Sequence, residues 1–133
     1  MAIKLKSRPD VMDSSTAILY LVLFELDGKK LVKIGITTRT IEDRVSEILV
    51  GIFKKYREFP YCRPKKFTSV KDARGKEQLL HKYFKEFKYY PQHSFSGCTE
   101  FFEVDLDIAV EAYKKAIVDE LVVPSVCDED IDY

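Results

Sequence analysis

"AILYLVLFELDGKKLVKIGIT", residues 17–37, reads as two strands folded about one tight turn. Asp27-Gly28 suits a two-residue hairpin loop, whose central positions need positive φ. Residues 17–25 are apolar at odd and even positions alike, which predicts a strand buried on both faces at the centre of a sheet. Residues 30–37 are predicted to return beside it. With Asp27 and Gly28 as the loop, Leu26 faces Lys29 and paired positions sum to 55. Tyr20 then faces Gly35, and Val22 faces Lys33. Cross-strand partners share a face, as do residues two apart. The register therefore gathers Tyr20, Lys33, Gly35 and Thr37 on one face, and a slip of one residue would undo this.

Working outward, Thr40 followed by Asp43 resembles a capped helix start, and a helix is predicted from Ile41 to about Leu49. Its apolar stripe is Ile41, Val45 and Ile48. Arg44 borders that stripe, within reach of the sheet face. Residues 51–66 mix aromatic and basic side chains, and Pro60 and Pro64 predict a loop or a short broken helix. "KFTSV" reads as a third strand. Asp72 is the expected cap of a helix running to Phe87. Pro91 to Gly97 is loop, and "TEFFEV" alternates like a short strand. Asp107 is expected to cap a last helix from Ile108 to about Leu121. These elements divide the chain into an irregular segment 1–16, one α+β (α/β) domain over 17–121, and an acidic tail 122–133.

At 133 residues, 46 % hydrophobic and 33 % charged, the chain suits a single domain with a real core. No apolar run is long enough to span a membrane, and "MAIKLKSRPD" lacks the apolar core of a secretory signal. Cys62, Cys98 and Cys127 are widely spaced and odd in number, with no zinc spacing among them or with His81 and His93. They are expected to be reduced thiols in a cytoplasmic protein. The net charge of zero hides an asymmetry. Residues 51–77 carry nine Lys and Arg against Glu58, Asp72 and Glu77, whereas 119–133 carry only acids among their charged residues. A basic middle points to a polyanion partner or to a solvated surface.

Two positions stand out chemically. Ala73, Glu77, Leu80, Phe84 and Phe87 share one helix face, so Glu77 interrupts an apolar stripe. Either it snorkels or pairs with Arg74 at the end of the stripe, or it is a carboxylate held at the rim of a site, able to bind a hard cation. His81, four residues on, is placed to touch Glu77 or a substrate, or to serve as a surface or capping residue. Lys33 lies between Val32 and Ile34. It is either an outward residue on a half-exposed face or a partner of Tyr20. A tyrosine, a lysine and a nearby arginine on one face suit a phosphodiester.

"LY" at 19–20, "KIGIT" at 33–37, "RTIEDRV" with Arg44, "KEQLLHKYF" with Glu77 and "GCTEFFEV" together resemble the GIY-YIG nuclease superfamily, in its small phage- and bacteria-associated branch. The resemblance covers about residues 17–117. It implies a small three-stranded antiparallel sheet flanked by helices, and metal-dependent cleavage of nucleic-acid phosphodiester bonds, with DNA as the expected substrate. It implies one divalent ion, Mg²⁺ or Mn²⁺, held by Glu77. Tyr20 would help activate the attacking water and Arg44 would steady the scissile phosphate. Lys33 stands where most members have tyrosine, as a base or a phosphate ligand. Ile48 stands where some members have histidine, a role His81 is placed to take. Gly35, Thr37, Lys54, Lys55, Arg57, Lys65 and Lys66 are the expected substrate-binding residues. A targeting partner or a homo-oligomer would supply specificity. The alternative is a catalytically silent nucleic-acid-binding module or a regulatory interaction protein on the same fold. A further expectation is that residues 128–132 fold back onto the basic segment as a phosphate mimic.

Overall fold

The hairpin forms in the register its turn dictates. In the computed structural model, which describes residues 16–123, β1 (Thr16–Leu26) and β2 (Lys29–Thr37) are antiparallel. Asp27 and Gly28 both take positive φ at the turn, at 55° and 74°. Tyr20 faces Gly35 and Val22 faces Lys33. Residues 1–15 of the segment expected to be irregular, and residues 124–133 of the acidic tail with Cys127, lie outside the described residues.

The fold is α+β, and among the described residues its sheet has four strands rather than three. β3 (Tyr61–Lys71) pairs with the free edge of β1, and β4 (Phe101–Phe102) with that of β2, giving the order β3-β1-β2-β4. β1 is central, as its unbroken apolar run predicts. β3 starts well before "KFTSV" and takes in Pro64, which sits on an edge strand beside a bulge at Leu21/Val22. An edge position tolerates the missing N–H, and the bulge absorbs the odd residue, Lys65.

Among the described residues three α-helices flank the sheet: α1 (Ile41–Tyr56), α2 (Ala73–Tyr83) and α3 (Leu106–Ile117). Thr40 caps α1, its hydroxyl accepting from the Asp43 amide at 3.1 Å. α1 runs past Leu49 because Ile52 extends the buried stripe Ile41, Val45 and Ile48. The expected loop or broken helix over 51–66 is thus the end of α1 and the start of β3. α2 ends at Tyr83, and a 3₁₀ turn (Lys85–Phe87) follows, which leaves Phe87 half-exposed instead of in the stripe. Asp72 stands at the N-cap of α2 with φ 52° and makes no side-chain cap bond. α3 begins earlier than expected, capped by Asp105 rather than Asp107, whose amide donates to the Asp105 carboxylate.

Two cores follow from strand alternation. Leu19, Leu21, Val32, Ile34 and Phe102 pack on one face with Ala73 and Leu80 of α2, Phe84 at its C-cap, and Ala109 and Tyr113 of α3. Tyr20, Val22, Phe24 and Leu31 pack on the other with α1, Phe95 and Phe101. The two residues of β4 therefore serve one core each.

Candidate active site on the sheet face

The second face carries the polar cluster. Lys33 is fully buried; its ammonium donates to the Tyr20 hydroxyl at 3.2 Å and is ion-paired with Glu100. Tyr20 is equally buried, and Arg44 Nε also donates to its hydroxyl, at 3.3 Å. Burial alone would lower the Arg44 pKa, but its bonds to Tyr20 and Glu47 outweigh that and raise it. The register explains the meeting. Tyr20 faces Gly35, and a Cβ on Gly35 would stand 2.5 Å from the Tyr20 hydroxyl oxygen and 2.7 Å from Glu100 Oε1. Glycine is required there by crowding. Gly97, at φ 89°, does the same on the loop side, where a Cβ would lie 3.1 Å from Lys33 Nζ and 3.4 Å from Arg44 Nη2.

Glu77 comes from α2, which packs on the opposite face, yet it is only 7 % exposed and meets Glu100. β4 stops pairing with β2 at Lys33, which leaves the strand edge beyond open to Glu100 and α2. Burial, then the charge of Glu100 and a hydrogen bond with it, push Glu77 up to about 7 against an ordinary value near 4.5. Lys33 and Arg74 oppose that shift only in part. Two abutting carboxylates in a desolvated setting fit a hard divalent cation. Mg²⁺ is commonly held by one or two carboxylates while it keeps several waters. Among the described residues no cluster of three or more His, Cys, Asp or Glu exists, so Glu77 and Glu100 would have to hold such an ion as a pair.

His81 lies within range of the charges on Glu100 and Lys33 and is tied to β2. Its Nε2–H donates to the Ile34 carbonyl at 2.8 Å on β2, and its ring packs edge-on against Phe102. Burial lowers its pKa, so it is a neutral tether. Thr37 is buried and accepts from the Arg39 amide at 3.1 Å. A cavity of about 330 Å³ opens beside it, lined by Ala17, Ile36, Thr37, Thr38, Arg39 and Arg44. At its mouth Glu47 accepts from both Arg39 and Arg44, which hold its pKa below the usual carboxylate range.

The expected substrate-binding cations are more dispersed. Lys54 and Lys55 lie in the last turn of α1 and Arg57 caps it, so Lys55 is about 16 Å along the helix from Arg44. Lys66 faces Leu21, on the side away from Tyr20, and Lys65 is the exposed bulge residue. Phe67, half-exposed, faces Tyr20 instead. Sequence reasoning did not single out Arg39 or Glu47, and it met Glu100 only within the "GCTEFFEV" segment, not as the partner of Lys33. The signal for Glu100 was indirect: a lysine inside an apolar strand requires a carboxylate from elsewhere.

Residues 17–117 match the model of the T5orf172 domain, and the chain belongs to that family, which is related to nuclease folds. No curated protein and no solved structure matches the chain. No helix among the described residues is long and apolar enough to cross a membrane.

Proposed function

We propose that this protein is a GIY-YIG-type endonuclease that hydrolyses phosphodiester bonds in nucleic acid, with DNA as its first expected substrate and Mg²⁺ or Mn²⁺ as its cofactor. The observation that carries this reading is the convergence of Lys33 and Arg44 on the Tyr20 hydroxyl, beside the Glu77–Glu100 carboxylates. Two cations aimed at a phenolic oxygen stabilise negative charge developing there. In hydrolysis a water oxygen bonds to phosphorus as the bond to the leaving sugar oxygen breaks. Tyr20 guides that water; the proton the water sheds passes by way of the phenol to solvent, solvent returns one to the departing sugar oxygen, and Lys33 and Arg44 keep the phenol oriented. Arg44 also faces the cavity, where its guanidinium neutralises the phosphate. Glu77, with Glu100, would hold the divalent ion, which when bound offsets charge on the phosphate and the departing oxygen. Membership of a nuclease-related family supports the reaction class. The exposed cations of the α1–β3 corner, with Phe53, Phe59 and Tyr61 among them, supply a surface for a polyanion. Supercoiled plasmid incubated with Mg²⁺ is expected to be nicked by wild type and not by Glu77→Gln. Intact plasmid, with Mn²⁺ as well, would argue against the reading.

One observation favours the second reading, a nucleic-acid-binding module without cleavage. Tyr20 and Lys33 are both fully buried, and Lys33 is taken up by Glu100 and Tyr20. On that reading the cluster is a structural lock, and plasmid would be shifted in a gel but left whole.

A further inference from the structure

We propose that Arg39 and Arg44 form a two-guanidinium phosphate clamp at the mouth of the 330 Å³ cavity, and that Glu47 occupies it as an internal stand-in which nucleic acid displaces. The proposal rests on the nucleic-acid reading of the site and names the group bound beside it. A single oxygen, Glu47 Oε1, accepts from Arg39 Nη2 at 2.6 Å and from Arg44 Nη1 at 2.5 Å. Two guanidinium groups that converge on one anionic oxygen make the arrangement that also grips a phosphate oxygen.

The clamp is held by its backbone. Thr37 Oγ1 accepts from the Arg39 amide, and Thr40 caps α1 one residue later, so the turn that carries Arg39 is pinned at both ends. Arg44 is anchored through Nε to Tyr20, which leaves Nη1 as the group turned to Glu47. Glu47 itself is the loose member. Its side chain is 48 % exposed and that of Arg39 52 %, so their ion pair contributes little and holds Glu47 only weakly. A phosphate arriving in the cavity can therefore take over both donors while Glu47 swings into water. Because Arg44 also holds Tyr20, the clamped phosphate would lie next to the phenol.

Anisotropy of a labelled 12-base-pair duplex in EDTA tests this without calling on cleavage. Glu47→Gln is expected to bind roughly threefold or more tighter than wild type. Arg39→Gln is expected to bind weaker, with a salt slope shallower by about one. Glu42→Gln, which removes an exposed acid elsewhere on α1, controls for general charge and is expected to match wild type. Equal gains from Glu47→Gln and Glu42→Gln would overturn the clamp, as would an unchanged salt slope for Arg39→Gln. Plasmid left intact by wild type with Mg²⁺ and Mn²⁺, with these binding shifts present, would sink the nuclease reading and leave the clamp standing.

Discussion

Lys33 sets the energetics of the cluster at the residue scale. A fully buried ammonium persists only with a hydrogen-bonded counter-charge, and Glu100 supplies it. Lys33→Met leaves Glu100 without its partner and should cost about 3 kcal/mol in urea unfolding. Lys33→Met with Glu100→Gln should cost less than the two single changes summed. Additive costs would show that the pair is not coupled. Glu77 gives a second test. In metal-free protein its pKa is raised, so between about 4.5 and 7 the folded state holds a proton that the unfolded chain has released. Folded-state proton excess means that stability falls as pH rises through that window. Melting in EDTA should show the decline for wild type and a flatter profile for Glu77→Gln; parallel profiles would contradict it.

At the scale of elements, α1 matters because its start positions Arg44. Thr40→Ala removes the cap bond to Asp43 and should destabilise the protein by about 1 kcal/mol, read from the urea midpoint. What was legible in the sequence tracks how local the deciding interactions are. The β1–β2 hairpin was legible in full, since Asp27-Gly28 fixes the turn and the turn fixes the register. That register alone placed Tyr20 with Lys33 and Gly35. β3 was legible only in its second half, "KFTSV", because it is an edge strand in which only Val70 is buried, so its start shows no apolar alternation, and Pro64 reads as a breaker. The length of α1 was legible in Ile52, but Gly51 and the following lysines read as an end. The pairing of Glu100 with Lys33 was beyond reach for another reason. Its contact with Lys33 spans 67 residues of chain, and no local pattern carries so distant a pairing.

At the scale of the whole molecule, the sheet works as a partition. One face is filled by the apolar sides of α2 and α3, and the other holds α1, the loop through Phe95 and the polar cluster. Glu77 links the two layers where β4 ends. Charge follows the same division. The cations near the cluster, Lys33, Arg39 and Arg44, are paired. Among the described residues Lys54, Lys55, Arg57 and Lys65 make no ion pair and stay exposed at the far end of α1 and along β3. Backbone-tracking contacts and chemistry are thus separated along the molecule. The most direct test of the account is one plasmid-nicking assay with Mg²⁺ and Mn²⁺, run on wild type, Tyr20→Phe and Glu77→Gln. The account predicts nicking by wild type, abolished by EDTA and reduced at least about a hundredfold in both variants. Nicking that survives in both variants, or plasmid left intact by wild type with either metal, would contradict it.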